Sequence, residues 1–352
     1  MTAVFDGHND LLLRLFKAPE KREAIWLQGT EGGHLDLPRM RAGGFAGGLF
    51  AIYVPSPVLE DLDALHDAMH EPPYDVPLPP LMRADAALGV AMAQAGHFHW
   101  MERVSGGAFR CCRTVAEIRA AMAEGVIAGV LHMEGAEAIG PDLDALHLFA
   151  AMGLRSIGPV WSRPTIFGHG VPFRFPSGPD TGPGLTEAGV ALVAECNRLR
   201  IMIDLSHLNE AGFRDVARLS DAPLVATHSN AHVVCASSRN LTDWQLGAIR
   251  GSGGMVGLNF ATVFLRPDGR DDPVMGWEPV LRHLDHLIGA LGEDHVGFGS
   301  DFDGAVVPRG IGDVAGLPAL IGALRTHGFG EALIAKLARE NWLAVLERTW
   351  GG

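Results

Sequence analysis

The sequence lacks several features that would assign it to a specialised class of protein. No run of eighteen uninterrupted apolar residues occurs, so no transmembrane helix is expected. The four cysteines form no C-x-x-C pair or other spaced framework, which favours free thiols in a reducing compartment. The formal net charge of −13 argues against nucleic acid or an anionic membrane surface as a partner.

The N-terminal segment also lacks the marks of a secretory signal. MTAVFDGHND has neither a basic start nor a long apolar stretch, and candidate functional residues appear by position 8. We therefore expect a cytoplasmic protein. Hydrophobic residues make up 47% of the chain, enough for a sizeable core, and no shift in composition marks a linker. Residues 1–352 are expected to form a single domain.

Eight apolar runs with strand character alternate with amphipathic stretches along the chain. The runs scarcely alternate in polarity, as is typical of parallel strands buried on both faces. This pattern predicts a (β/α)8 TIM barrel, with a helical insertion, Asp61–Val104, between strands two and three. A Gly- and Pro-rich loop is expected over Phe167–Gly184. The eight runs are Val4–Asp10, Gly47–Val54, Gly125–Gly135, Leu154–Trp161, Ile201–His207, Pro223–Ser229, Gly254–Phe260 and His295–Asp301.

Five of these runs end in residues of the types that commonly ligate metal ions. Taken singly, each ending has an ordinary explanation, such as a core histidine or an ion-paired carboxylate, and Asp303 competes with Asp301. Because the carboxyl ends of barrel strands meet at one mouth, all of them together predict a site for two divalent ions with one bridging carboxylate. The endings are HND (His8, Asp10), MEG (Glu134), DLSH (His207), THS (His228) and GSDFDG (Asp301).

Such a site suggests hydrolysis of a peptide bond. Two Zn²⁺ ions that share a water lower its pKa toward neutrality, and the resulting bridging hydroxide attacks a carbonyl. Asp301 can take the proton and pass it to the leaving amine. Arg239 can grip a carboxylate with two hydrogen bonds, although a structural salt bridge is the alternative for this residue.

The order of the motifs resembles the membrane (renal) dipeptidase family of zinc peptidases over essentially the whole chain. HND, MEG, DLSH, THS, CASSRN (Cys235–Asn240) and GSDFDG occur in the family's order. The resemblance implies a barrel with two zinc ions per subunit and a dipeptide substrate, in some cases with a C-terminal D-residue. A homodimer is usual in the family. The resemblance also assigns roles: His8 and Asp10 bind one ion, His207 and His228 the other, Glu134 bridges them, Asp301 lies beside the first ion, and Arg239 holds the terminal carboxylate.

The sequence departs from the animal members of the family at two positions. The histidine at the end of strand four, which contacts substrate in those enzymes, is replaced by Trp161. A tryptophan can shape a pocket but cannot protonate an oxyanion, so His169 and Arg163 are candidate replacements. A carboxylate-binding tyrosine aligns with Ala261, which has no hydroxyl.

Two other functions compete with a dipeptidase. The first is an amidohydrolase-type metal enzyme acting on N-acyl amino acids or lactones. That type has HxH on strand one and often a carboxylated lysine as the bridge, whereas this chain has HxD and only three lysines, none at a strand end. The second is a metal-stabilised binding or scaffold protein, which predicts that one catalytic element is missing.

Overall fold

The computed structural model describes residues 1–56 and 67–351, and its central feature is a barrel of eight parallel strands. The strands follow one another in the order β8-β6-β5-β2-β1-β11-β10-β9, and β4 also pairs with β5. A parallel bridge between Asp204 and Val225 joins the two end strands, so the barrel is nearly closed. The predicted (β/α)8 fold is confirmed. The strands are β1 Val4–Asn9, β2 Phe45–Tyr53, β3 Tyr74–Val76, β4 Phe109–Cys111, β5 Ile127–Glu134, β6 Leu154–Ile157, β7 Phe173–Phe175, β8 Met202–Ile203, β9 Val225–Ala226, β10 Met255–Asn259 and β11 Val296–Gly299.

Helices surround the barrel, and polar side chains cap the starts of two of them. The Thr186 hydroxyl accepts a hydrogen bond from Gly189 N at 3.1 Å, and Asn209 Oδ1 accepts one from Gly212 N at 2.9 Å. No helix within the described residues is long and apolar enough to cross a bilayer. The α-helices are α1 Leu11–Lys17, α2 Leu37–Gly43, α3 Ala84–Val104, α4 Val115–Ala123, α5 Asp144–Met152, α6 Glu187–Leu199, α7 Glu210–Leu219, α8 Asp243–Gly251, α9 Thr262–Leu265, α10 Glu278–Leu291, α11 Leu317–His327, α12 Glu331–Ala335 and α13 Asn341–Trp350.

The last helix closes the barrel at the end opposite the candidate ligands. Trp342 of α13 is fully buried, and its indole N–H donates to the carbonyl of Phe298 in β11 at 2.9 Å. A Cβ at Gly7 in β1 would lie 2.2 Å from the Trp342 ring, so only glycine leaves room for this contact. Packing at this end leaves the other end of the strands to form the site.

The insertion and the long loop contain strands that the sequence did not predict. Tyr74–Val76 pairs antiparallel with Phe173–Phe175, so the insertion between β2 and β5 joins the loop that follows β6. The helical part of the insertion is confirmed over Ala84–Val104, while its predicted start at 61–66 lies outside the described residues. This small sheet lies beside the mouth of the barrel, where Tyr74 and Phe173 belong to one buried apolar cluster with Trp161.

Candidate metal centre

All the predicted metal-type residues come together at the carboxyl ends of the barrel strands. His8 lies in β1 and Glu134 ends β5, whereas His207, His228 and Asp301 follow β8, β9 and β11. The side chains of His8, His207, His228 and Glu134 are at most 6% exposed. The fold therefore gathers side chains that lie far apart in the sequence into one buried cluster.

Glu134 lies between two groups of ligands. Its Oε1 is 2.9 Å from His207 Nε2 and 3.2 Å from His228 Nε2. Its Oε2 is 3.7 Å from His8 Nε2, and the same nitrogen is 3.4 Å from Asp10 Oδ2. Each carboxylate oxygen thus faces a different set of side chains, which is the arrangement that a bridging ligand requires.

Hydroxyl groups fix the orientation of two of the imidazole rings. Ser162 Oγ is 3.0 Å from His207 Nδ1, and Thr227 Oγ1 is 2.8 Å from His228 Nδ1. The two Nε2 atoms consequently turn toward Glu134 and lie 3.1 Å from each other. When each Nδ1 donates its hydrogen to a hydroxyl, both Nε2 atoms are acceptors that cannot bond to each other. A cation is the partner that such a pair of nitrogens binds.

The third imidazole also fits a metal site. Both ring nitrogens of His8 are buried without a hydrogen-bond partner in the described part of the chain. Burial lowers the pKa of His8, but the nearby carboxylates of Glu134 and Asp10 more than offset burial and raise it to about 10. The carboxylates that raise this pKa create a negative potential, and the same potential would attract a divalent cation to this place. We conclude that the cluster fits a metal centre.

The other titratable groups of the cluster agree with this conclusion. Burial, together with the Arg239 guanidinium, lowers the pKa of His207 and His228 well below its ordinary value, so both rings are neutral. Neutral imidazole is the form that binds a metal. Burial raises the pKa of Glu134 well above its ordinary value and also raises that of Asp301. Several buried carboxylates in one place need positive charge to remain ionised.

Two residues of the cluster adopt a backbone conformation that is unusual for them. His207 has a φ of 67° and Asp301 a φ of 60°, both in the left-handed region. Outside glycine this conformation costs about 1–2 kcal/mol. Such strain persists where the surrounding structure over-determines the position, and it occurs often at functional sites. In both cases it turns the side chain after the strand end toward Glu134.

Asp301, rather than its rival Asp303, faces the cluster. Asp301 offers one carboxylate oxygen to a group with His8 and His228 whose ligand atoms lie within 4.8 Å of one another, and its Oδ2 accepts a hydrogen bond from Asn259 Nδ2 at 2.9 Å. Asp303 instead accepts the backbone N–H of His34. The sequence could not distinguish the two, because both follow β11.

Arg239 is a buried cation that forms no ion pair with another described residue. Its Nη1 donates to Ser229 Oγ and its Nη2 to the carbonyl of His228, both at 2.9 Å, while its Nε has no hydrogen-bond partner in residues 1–56 and 67–351. No carboxylate lies within 4.0 Å of it among the described residues, so a structural salt bridge does not account for it. Arg239 does not line the cleft into which the cluster opens. Phe264 does line it, and its ring centre is 5.6 Å from the guanidinium carbon of Arg239.

The cluster opens into a cleft with largely apolar walls. Trp161 lies in the wall, where its ring centre is 5.3 Å from that of Tyr53, 5.4 Å from that of Phe173 and 5.9 Å from that of His207. Ala261 is also part of the wall. The lining residues are Asp10, Leu13, Tyr53, Met69, Glu134, Trp161, Phe173, His207, Ala261, Val263, Phe264, Asp271, Asp301, Gly304, Ala305 and Val306.

The two candidate replacements for the missing histidine do not line this cleft. Arg163 is fully buried and forms an ion pair with Glu137 at 2.8 Å, and it also donates to the carbonyl of Val54. This position is that of a structural residue and gives no support for the substrate contact expected of Arg163. His169 is half-buried, and its backbone carbonyl accepts the N–H of Asn209. Its position likewise gives no support for a substrate contact.

Sequence reasoning missed several residues of the site. Tyr53 ends β2 and Asn259 ends β10, the strands to which no functional residue had been assigned. Gln94 of α3 fixes Tyr53 by hydrogen bonds to both its backbone N–H and its carbonyl. Both residues could have been found from their position at the end of a strand, because that position brings aromatic and amide side chains to the site as well as metal ligands.

Gly304 is expected to be essential for the metal site. A Cβ at this position would lie 2.1 Å from Asp10 Oδ2 and 2.8 Å from Asp301 Oδ1. Gly304→Ala should displace one of these carboxylates, and a displacement of about 1 Å costs on the order of 10²-fold in activity. Gly289→Ala in α10 is the matched control, because its Cβ meets nothing within 4 Å. Equal activity and metal content in the two variants would contradict this close approach.

A family model described as membrane dipeptidase (peptidase family M19) matches residues 1–350. A solved structure described as dipeptidase AC, a metallopeptidase of family M19, is 68% identical, with a TM-score of 0.98, and the alignment covers 100% of this chain and 99% of that one. A metallopeptidase from Rhodobacter sphaeroides, liganded with a phosphinate mimic of the dipeptide L-Ala-D-Ala, is also 68% identical, with a TM-score of 0.98 and 99% of each chain covered. Dipeptidase verJ from Clonostachys rogersoniana is 28% identical over 98% of this chain and 83% of its own length.

Proposed function

Because this chain belongs to the membrane dipeptidase family, peptidase family M19, we propose that it hydrolyses dipeptides by means of two zinc ions held at the Glu134 cluster. The observation that carries the proposal is the position of Glu134, whose two oxygens face two different sets of nitrogen ligands. Nitrogen and carboxylate ligands without thiolates suit Zn²⁺ in a catalytic site.

The proposed ligand sets follow the two sides of Glu134. His8 and Asp10, with Asp301 beside them, hold one ion, and His207 and His228 hold the other. When bound, two divalent ions supply a water of lowered pKa and a Lewis acid for the scissile carbonyl.

The protein's own groups handle the protons. As the water oxygen bonds to the carbonyl carbon, Asp301 accepts the proton that this water loses. It then gives that proton to the leaving nitrogen as the C–N bond breaks. The hydrogen bond from Asn259 Nδ2 to Asp301 Oδ2 holds the carboxylate in place for both transfers.

The substrate class follows from Arg239 and the cleft walls. A buried guanidinium whose Nε lacks a partner among the described residues suits a free carboxylate, and a clamp on that group restricts a peptidase to very short peptides. The walls that contain Trp161 and Phe173 suit small or apolar side chains. We propose dipeptides, including those with a C-terminal D-residue, which agrees with the L-Ala-D-Ala mimic bound to the Rhodobacter sphaeroides relative.

We also propose a cytoplasmic location for the protein. The four cysteines are all free, which agrees with a reducing, cytoplasmic compartment. We further propose a single domain that acts as a homodimer, as the family resemblance implies.

Metal analysis and a substrate panel test the proposed function. We expect two zinc ions per chain and hydrolysis of dipeptides well above that of N-acyl amino acids or lactones. A protein that holds no metal after zinc loading, or that cleaves lactones but no dipeptide, would refute the assignment.

Replacement of the proposed proton carrier distinguishes an enzyme from a metal-stabilised scaffold. Asp301→Asn removes the base but keeps an oxygen at the same place, so metal content should persist. Loss of general acid–base catalysis typically costs about 10²–10⁴-fold in kcat. If kcat for the best dipeptide is unchanged in this variant, Asp301 does not carry the proton.

A further inference from the structure

Beneath the cluster lies a further carboxylate, that of Asp204, which takes no part in the proposed reaction. Asp204 follows β8, is 1% exposed and does not line the cleft. It accepts three hydrogen bonds: from Ser206 N at 3.0 Å, from Thr227 N at 2.8 Å and from Thr227 Oγ1 at 2.6 Å. A buried carboxylate that binds one threonine through both its backbone and its hydroxyl fixes the direction of that hydroxyl.

The direction of the Thr227 hydroxyl determines the tautomer of His228. The hydroxyl has one hydrogen, and the short contact to Asp204 takes it. Toward His228 Nδ1, at 2.8 Å, the same oxygen can only accept. His228 Nδ1 must therefore carry the ring hydrogen, which leaves a lone pair on the Nε2 that faces Glu134 at 3.2 Å.

We propose that Asp204 and Thr227 are positioning residues that hold His228 in its metal-binding form. The chain of hydrogen bonds runs from the His228 ring through the Thr227 hydroxyl to the Asp204 carboxylate. A carboxylate at its end fixes the orientation of the ring and raises the basicity of Nε2. The inference rests on the proposed function, since it assumes that the Glu134 cluster binds metal.

The neighbouring histidines show that this chain of hydrogen bonds orients His228 in particular. His207 Nδ1 contacts the hydroxyl of Ser162, and among the described residues that hydroxyl makes no hydrogen bond to a carboxylate. Asp204 also lies 3.6 Å from Nε2 of His132, whose ring packs edge-on against His8 with 5.3 Å between centres. Asp204 therefore lies beneath ligands of both proposed ions, but it is linked by hydrogen bonds to His228.

Zinc affinity, measured by competition with a chromophoric chelator, tests the proposal without relying on activity. Thr227→Val removes the hydroxyl at nearly constant volume, and Asp204→Asn places an amide where the carboxylate accepts. Each variant should bind one of the two ions about 10–100-fold more weakly, as is typical when a partner of a metal-binding histidine is lost. Thr227→Ser keeps the hydroxyl and should retain the affinity of the unaltered protein.

A matched control separates this effect from a general loss of stability. Thr349 in α13 is buried and donates its hydroxyl to the carbonyl of Val345, far along the chain from any proposed ligand. Thr349→Val should lower the Tm of the metal-free protein without changing zinc affinity.

The possible outcomes are distinct. If the unaltered protein binds two ions and Thr227→Val and Asp204→Asn bind them equally well, the positioning role is wrong while the metal centre stands. If Thr227→Ser is as weak as Thr227→Val, the hydroxyl is not what matters and the proposal also fails. If the unaltered protein binds no zinc, the proposed function itself fails. Should Thr227→Val not fold, Asp204→Asn and Thr227→Ser still give the comparison.

Discussion

Glu134→Gln is expected to abolish high-affinity metal binding and dipeptide hydrolysis together. Both oxygens of Glu134 face imidazole nitrogens, so the neutral amide weakens both proposed ion sites at once and presents an N–H₂ group to one of them. Loss of one partner from a buried charged group costs about 3–5 kcal/mol, which corresponds to roughly 10²–10³-fold or more in affinity. Elemental analysis after dialysis, together with kcat/KM on the best dipeptide, measures the effect.

Glu137→Gln is the matched control for this prediction. Glu137 is also buried, but it pairs with Arg163 and lies outside the cleft lining. Its replacement should lower the Tm while the metal content of the folded protein stays the same. If Glu134→Gln keeps two ions, or if Glu137→Gln loses them as readily, the bridging role of Glu134 is wrong.

Arg239→Met is expected to remove the preference for a free C-terminal carboxylate. Methionine fills similar space without a charge, so the substrate's carboxylate loses a buried cationic partner. A buried, hydrogen-bonded charge pair across an interface is worth about 2–5 kcal/mol when one partner is truncated, or roughly 30- to several-thousand-fold. The measurement is the ratio of kcat/KM for a dipeptide to that for its C-terminal amide, which should collapse toward one.

Arg163→Met supplies the comparison for this second prediction. Arg163 is also a buried arginine, but its charge is neutralised by Glu137. The variant should be less stable, because the buried carboxylate of Glu137 loses its partner. It should nevertheless keep the preference for free dipeptides over amides. A preference that survives in Arg239→Met, or disappears in Arg163→Met, would assign carboxylate recognition to another group.

The barrel and the proposed ligands could be predicted from the sequence because both depend on strands. The predicted strand Gly125–Gly135 is mostly apolar, and the part of it that forms β5, Ile127–Glu134, is buried along its whole length, which is the pattern of parallel strands. Once eight such runs make a barrel, their carboxyl ends must share one mouth. The residues His8, Glu134 and His228 could therefore be placed together without any knowledge of distances.

The remaining parts of the site depend on contacts that no local pattern contains. Arg163 looked like a substrate residue from its place after strand four, but its partner Glu137 lies in another loop. The pairing of Tyr74–Val76 with Phe173–Phe175 joins two segments nearly a hundred positions apart. The bond from Thr227 to Asp204 likewise crosses between strands β8 and β9. Such pairs require the register of the strands, which the sequence alone does not provide.

The predicted ends of the shorter strands were wrong for a related reason. The runs Ile201–His207 and Pro223–Ser229 were expected to be extended throughout, yet β8 and β9 contain two residues each. Beyond Ile203 the backbone turns, and His207 has a φ of 67°. Apolar composition indicates that a segment is buried. The turn that directs the His207 imidazole into the cluster depends instead on the contacts of that side chain.

Diffraction from zinc-loaded crystals at the zinc absorption edge tests the central claim most directly. The account predicts two anomalous peaks, one beside His8 and Asp10 and one beside His207 and His228, with an oxygen of Glu134 about 2.0–2.2 Å from each ion. A single peak, or two peaks of which only one lies within reach of Glu134, would contradict the shared carboxylate and the hydrolysis derived from it.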